Sequence, residues 1–216
     1  MTGSNSPSSV RHIEVLDAAM VLIAERGVRG ATLRELADRI GIKQPSLYHY
    51  FESKDALITQ IIEHRTGQLL QAPDPLPVLD SVEQLVAMAS QFVLGLYSSD
   101  EYVAFVRFLF AVSIERAEWS GLVRERFVEG FKQPFALLAQ PLVERGELHA
   151  DDLDYVGTLV SSAMILQMLN YRVLLRQPMD LQRWQPEISF LTETLSAGLR
   201  ARTRRLNGEP GPHDES

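Results

Sequence analysis

The side chains that could do chemistry in this sequence are hydrogen-bonding groups concentrated between positions 32 and 54. Arg34 and the residues after Gly41 are predicted to face one surface, and no acid is among them: Lys43, Gln44, Ser46, Tyr48, His49 and Tyr50. Arg pairs bidentately with guanine and Gln with adenine, while Pro45 can contact a thymine methyl group. Tyr hydroxyl groups and Lys54 suit phosphates. This surface is therefore typical of one that enters a groove of DNA.

Capping and turn residues indicate how these side chains are positioned. Thr32 and Glu35 have the spacing of a capping box, which predicts that a helix starts at Thr32. Gly41 ends that helix, and Pro45 suits the first turn of a second, short helix over about 44–50. The order of helix, tight turn and helix predicts a helix-turn-helix over about residues 32–51.

The apolar residues of this stretch supply the packing that a helix-turn-helix needs. Ala37 is small where the two helices cross, and Ile42 and Leu47 are apolar where the second helix packs on the first. We assign Leu47 and Phe51 to the core. Tyr50 has two interpretations, a contact with DNA and packing beneath the motif.

Helical periodicity continues on both sides of the motif. Residues 10–26 place apolar side chains at helical spacing, and Gly27 is expected to end that helix. Ser53 caps a fourth predicted helix that runs to about Leu70, where Pro residues break the chain. Further helices are predicted at about 80–97, 101–117, 120–139, 151–176 and 186–205. The prediction is an all-α protein with a DNA-binding domain at 10–52, a C-terminal domain at 53–205 and disordered ends at 1–9 and 206–216.

Composition narrows the classes of function. The 216 residues include no Cys, which excludes disulfides, Cys zinc sites and thiol nucleophiles. The net charge of −7 at first argues against DNA, but residues 1–65 carry eight basic and eight acidic residues and are neutral. The uncharged runs 84–99 and 155–171 are shorter than the roughly 20 residues of a membrane span. No signal peptide is recognisable, so we predict a cytoplasmic protein without membrane association.

The motif resembles the signature of the TetR family of bacterial regulators. The pattern G-x-x-x-x-S-L-Y-x-Y-F-x-S-K-x-x-L spans Gly41–Leu57, and T-x-R-E-L-A spans Thr32–Ala37. The resemblance covers about residues 10–65 and implies an all-helical homodimer with Gln44–Tyr50 as its recognition helix. It implies base-facing roles for Arg34, Gln44, Pro45 and Ser46, backbone contacts for Tyr48, His49, Tyr50 and Lys54, and a phosphate-contacting helix cap at Thr32.

The same resemblance implies a C-terminal domain that binds a ligand and forms the dimer. The dimer helices would be about 151–176 and 186–205, although both could instead complete the core of the monomer. Some large side chains would line a pocket, and plain core packing is the rival interpretation for each. They are Phe92, Phe105, Phe108, Trp119, Phe127, Phe131, Met164, Gln167, Met168 and Tyr171.

The predicted function is a repressor that binds a near-palindromic operator in double-stranded DNA and is released by a small-molecule effector. One rival is a regulator without an effector, and another is a non-specific DNA-binding protein, which the acidic C-terminal part disfavours. An enzyme is the third rival, but no nucleophile elbow, metal spacing or phosphate-binding Gly loop is present. The five His residues lie far apart, so we predict neither a metal site nor a cofactor.

Overall fold

A computed structural model describes residues 7–71, 74–130, 132–178 and 180–208. The described residues form two compact units. The first, which we call the head, comprises the chain up to Leu69 together with Glu101–Val128. The second, the body, comprises Leu70–Asp100 and the chain from Glu129 onward. Disorder is predicted for 1–9 and 206–216, but residues 7–9 begin a helix and Leu206 ends one, so the prediction is wrong there. The rest of that prediction, for residues 1–6 and 209–216, and the predicted pocket residue Phe131 lie outside the described residues.

The described chain is helical, and its elements are named here in chain order. The α-helices are α1 (Pro7–Gly30), α2 (Leu33–Arg39), α3 (Gln44–Leu47), α4 (Lys54–Leu69), α5 (Val82–Ser98), α6 (Asp100–Glu115), α7 (Ala117–Val123), α8 (Lys132–Glu144), α9 (Leu153–Met168) and α10 (Leu181–Leu206). Two π-helical segments follow α7 and α9, at Arg124–Glu129 and Leu169–Leu174. The all-α prediction is confirmed.

The core of the head draws on both of its stretches of chain. Val15 of α1, Ile58 of α4 and Phe108 of α6 are all fully buried in one cluster. Leu47 belongs to the same cluster and is also fully buried, so the short α3 is anchored in this core, and it packs on α2. The predicted boundary at residue 52 therefore differs from the observed unit, which also contains α4 and residues 101–128.

Two Gly residues shape the approach to the helix-turn-helix. Gly27 has φ 72° and ψ 170°, values outside the helical region, and α1 continues to Gly30 beyond this kink. Gly27 therefore interrupts the helix where the sequence predicts its end, and a short helical segment continues to Gly30 beyond the kink. Gly41 has φ +69° between α2 and α3, a conformation that favours glycine and permits the tight turn.

The capping residues of α2 and α4 act largely as the sequence predicts. Thr32 Oγ1 accepts from the backbone N–H of Glu35 at 3.1 Å, and Ser53 Oγ accepts from that of Ala56 at 3.1 Å. The carboxylate of Glu35 lies 3.7 Å from Arg26, and no hydrogen bond from the Thr32 N–H to it is seen among the described residues. Half of the predicted capping box is therefore present, because Glu35 pairs with a cation instead.

The body is formed by helices that pack side by side. In it, α9 packs on α5 and α8, and α10 packs on α5. Gly157 of α9 allows close approach, because a Cβ atom there would lie 2.6 Å from Cδ2 of Phe135. The single helix predicted at 120–139 is instead interrupted, and α10 begins at Leu181 with Asp180 as its N-cap rather than at Pro186.

The described residues contain neither a membrane-spanning helix nor a cluster of metal ligands. None of the described helices combines the length and the apolar character needed to cross a bilayer. In the same part of the chain, no three His, Asp or Glu side chains come together in a way that would hold a metal ion.

Candidate nucleic-acid interface

The candidate interface is the outer surface of α2, the Gly41 turn and α3. Regular α-helix in α3 ends at Leu47, and residues 48–50 continue as tight turns in which each N–H donates three residues back. The recognition helix predicted over 44–50 is thus a four-residue α-helix with a tighter extension. Leu47 and Phe51 are buried as predicted, which leaves the other side of this segment facing outward.

Most of the predicted DNA-binding residues lie on the exposed side of the head. The exposed ones are Thr32, Arg34, Lys43, Gln44, Pro45, Tyr48 and His49, whereas Ser46, Tyr50 and Lys54 are partly buried. Tyr50 packs against the core of the head, and its ring meets that of His12 edge to face at 6.1 Å. The structure therefore favours the packing interpretation of Tyr50, and the DNA contacts of the exposed residues stay predictions.

Ion pairing within the head leaves few cations available. Arg39 pairs with Glu25 at 2.7 Å, and Arg65 pairs with Asp17 at 2.5 Å. Other basic side chains between residues 7 and 65 are committed to acids or backbone carbonyls, namely Arg11, Arg26, Arg29 and Lys54. Arg34 and Lys43 have no such partner among the described residues. These two cations flank the turn at the candidate interface.

Lys54 has a different environment from the one its predicted phosphate contact requires. Its Nζ donates to the carbonyl oxygens of Val28 and Ala31, at the end of α1. Burial lowers the pKa of Lys54, and the nearby carboxylates of Asp55 and Glu115 offset part of this effect. The sequence motif identifies Lys54, but nothing in it predicts an internal contact.

Arg11 is a residue of this region that the sequence analysis missed. Its Nη2 donates to the carbonyl oxygen of Ile40 at 2.8 Å, and its Nη1 donates to Glu14 at 2.6 Å. Ile40 is the C-cap of α2, so a cation lies where the helix dipole is negative. The partners are 29 positions apart in sequence, and no local pattern reports such a contact.

The predicted ligand-binding residues fall into both units. Phe105, Phe108, Trp119 and Phe127 pack in or against the core of the head, where Phe105 and Phe108 stack with their centroids 6.2 Å apart. In the body, Met164 and Met168 are buried, Phe92 meets Phe135 edge to face, and Tyr171 meets Trp184 in the same way. Gln167 and Met164 line a groove of the body. Ligand binding by this set stays a prediction.

That groove lies between α9 and α10 and has a volume of about 940 Å³. Its apolar lining includes side chains that are well exposed, such as Tyr155 at 50%, Leu159 at 44% and Phe190 at 71%. Asp152, at one end of the lining, is fully buried and accepts from Arg202 Nε at 2.6 Å. Asp152 Oδ2 and Trp184 Nε1 are buried without a hydrogen-bond partner among the described residues.

Comparison with known proteins gives sequence matches within the head and structural matches over most of the chain. Residues 15–61 match the model described as bacterial regulatory proteins, tetR family. The chain is 47% identical over 57 residues to the transcriptional repressor KstR2 of Rhodococcus jostii, a stretch covering 26% of this chain and 28% of that protein. It is 47% identical over 49 residues to the class A tetracycline repressor of Escherichia coli, covering 23% of each. The matched segment thus spans about a quarter of each relative.

Solved structures are similar over most of the chain at low identity. GusR of Salmonella enterica has a TM-score of 0.68 and 18% identity, with 90% of this chain and 97% of that one covered. FadR of Bacillus subtilis, solved with stearoyl-CoA, has a TM-score of 0.58 and 16% identity, with 87% and 98% covered. At these identities the likeness establishes the fold, a helix-turn-helix head with a helical C-terminal domain.

Proposed function

We propose that this chain, whose residues 15–61 match the TetR family of bacterial regulatory proteins, is a sequence-specific, DNA-binding transcriptional repressor of that family. It binds a near-palindromic operator as a homodimer and releases it when a small molecule binds. It acts in the cytoplasm, where bacterial DNA is accessible, and it has no catalytic role.

The observation that carries this proposal is the pairing pattern of the head. Among residues 7–65, the other Lys and Arg side chains are paired with acids or backbone carbonyl groups, whereas Arg34 and Lys43 stay exposed and have no such partner among the described residues. Arg34 lies in α2, and Lys43 is the N-cap of α3, directly before Gln44 and Pro45. An electrically neutral segment whose unpaired cations lie in its helix-turn-helix is suited to phosphates and guanine edges.

Homodimerisation is supported by the groove between α9 and α10. Large apolar side chains such as Phe190 and Leu159 are exposed there, and contiguous apolar surface in a soluble protein marks an interaction site. A second copy of the same face is self-complementary under twofold symmetry.

The small-molecule effector is supported by similarity of fold to a protein that was solved with a ligand. FadR of Bacillus subtilis shares the fold and was solved with stearoyl-CoA. The effector binds preferentially to a conformation in which the two recognition helices have a different spacing, and this weakens operator binding. By linkage, the operator weakens binding of the effector by the same factor. A regulator controlled only by its own concentration is distinguished by operator affinity that no ligand changes.

The test of the proposal is selection of bound duplexes from a random DNA pool at two salt concentrations. We expect enrichment of one near-palindromic site, with affinity falling as salt rises. Failure to enrich any site at either concentration would contradict sequence-specific binding.

Arg34→Ala provides the matched test of the interface once a site is known. We expect it to weaken operator binding by about 1–3 kcal/mol and to relax selectivity at one base pair of each half-site. Arg39→Ala, which removes a cation already paired with Glu25, is the control and is expected to change affinity little. Equal losses in the two variants would remove the special role of Arg34.

A further inference from the structure

The ammonium group of Lys54 is committed to the backbone of the head. Lys54 is the first residue of α4, and its Nζ donates to the carbonyl oxygens of Val28 and Ala31. Carbonyl groups at the end of a helix lack an intrahelical donor, and the helix dipole places negative partial charge on them. One cation therefore satisfies two carbonyl groups at the end of α1.

These two carbonyl groups lie at the entry to the helix-turn-helix. Ala31 directly precedes Thr32, the N-cap of α2. The helix α2 has seven residues and α3 has four, and helices of this length are not stable by themselves. Their orientation in the head therefore depends on tertiary contacts at their ends.

Arg11 makes the corresponding contact at the other end of α2. Its guanidinium donates to the carbonyl oxygen of Ile40, the C-cap of α2, and is held in place by Glu14. Cations from outside the helix-turn-helix thus contact the backbone next to both ends of α2, Lys54 at Ala31 before its N-cap and Arg11 at its C-cap Ile40. Both cations use their donors on the backbone of the head.

We propose that Lys54 is a positioning residue for operator binding, which holds the start of α2 against α1 and α4 and contributes no phosphate contact. The inference rests on the proposed DNA-binding function and replaces the phosphate contact predicted from the motif. Lys43 is the natural comparison, because it is exposed and has no partner among the described residues. Both residues are Lys, both are close to the motif, and they differ in what their ammonium groups contact.

The experiment measures the affinity of Lys54→Met and of Lys43→Met, each in the full-length protein, for the selected duplex. The measurements cover a series of salt concentrations at a temperature below the melting temperature of either variant. Each phosphate contact adds about 0.9 to the slope of log affinity against log salt, so Lys43→Met is expected to reduce the slope by about 1.8 per dimer. Lys54→Met is expected to weaken binding by roughly 10-fold or more at an unchanged slope. Hydrogen exchange of the amides over 32–39 is expected to become faster in Lys54→Met alone.

The outcomes separate three roles of Lys54. A slope reduced as much as in Lys43→Met would overturn the inference in favour of a phosphate contact. Unchanged affinity with a lower melting temperature would also overturn it, because the role would then be stability alone. Arg11→Met acts at the other end of α2 and is expected to give the same pattern, so the inference stays testable if Lys54→Met does not fold.

Failure of the inference is distinguishable from failure of the proposed function. The wild-type protein is titrated beside the variants, and its binding to the selected duplex tests the proposed function independently. A wild-type protein that binds, with a Lys54→Met variant whose slope changes, leaves the proposed function intact and removes only the positioning role. A wild-type protein that binds no duplex contradicts both.

Discussion

The head and the body differ in how completely each covers its own apolar surface. Among the described residues, five large apolar side chains are exposed in the head and twelve in the body. In the body these include Leu159 and Phe190 of the groove between α9 and α10. Side-chain atoms that are buried without a hydrogen-bond partner in the described part of the chain are also more numerous in the body, for example at Trp184 and Asp152. The head buries most of its apolar side chains in one core, whereas the body leaves an apolar face exposed between α9 and α10.

The largest effect is expected when this uncovered face receives a charge. Phe190→Glu places a carboxylate in the proposed dimer interface, where desolvation without a partner is costly. We expect the dissociation constant of the dimer to rise by about 1,000-fold or more, equivalent to about 4 kcal/mol. Sedimentation equilibrium measures this change. Val78→Glu is the control, because Val78 is 81% exposed and does not line the groove. An unchanged dimer in Phe190→Glu would break the comparison.

The interior of the body is tightly packed despite its uncovered face, and Gly157→Ala tests this. The added methyl group would meet the ring of buried Phe135, so we expect a loss of about 2 kcal/mol in the free energy of unfolding. Chemical denaturation measures it, and Gly157→Ala combined with Phe135→Leu should recover part of the loss. Gly95→Ala on α5 has open space and should be neutral or slightly stabilising. Equal effects at the two Gly positions would show a loosely packed body.

Tyr97 probes how dry the same interior is. It is 2% exposed, and burial raises the pKa of Tyr97 to about 12. Between pH 10 and 12 the unfolded chain releases this proton before the folded chain does, so stability falls as pH rises through that window. At pH 11 the loss is about 1.4 kcal/mol, and Tyr97→Phe should lack it. Unfolding curves of both proteins at pH 9 and pH 11 decide the matter, since parallel losses would indicate a hydrated Tyr97.

The smallest effect is expected at the exposed edge of the head. Thr32→Ala removes the side-chain oxygen that accepts from the Glu35 N–H, and loss of such a cap costs about 1 kcal/mol. Thermal unfolding measures the change in stability. Thr32→Ser keeps the acceptor and is expected to restore most of the stability. A loss well above this size would mean that the stability of the head depends strongly on exposed contacts such as the Thr32 cap.

The parts that sequence could predict are those set by local rules. The caps at Thr32 and Ser53, the turn at Gly41 and the burial of Leu47 depend on neighbours in the chain, and the structure has all of them. The reach of Lys54 to Val28 spans 26 positions, and no short-range pattern reports it. The DNA contacts of the exposed residues stay predictions.

The predictions of the fold that are wrong also concern features that local patterns do not determine. Apolar periodicity continues through residues 120–139, yet the structure changes to a π-helical segment and then to α8. Pro186 was expected to start the last helix, but Asp180 caps it earlier by accepting from the N–H groups of Gln182 and Arg183. The predicted pocket residues share a large side chain, and those that are described lie in two separate units, which residue type alone cannot distinguish.

The head is assembled from two separate stretches of chain, and this limits how operator recognition can be moved between proteins. Phe108 and Trp119 lie more than thirty positions beyond the end of α4, yet they share a core with Ile58 and Leu47. A chimera joined at a single point near residue 70 would carry the recognition helix without these aromatic partners. Exchange of specificity by recombination therefore requires residues 101–128 to travel with residues 1–69, or the recipient protein to supply side chains of matching shape.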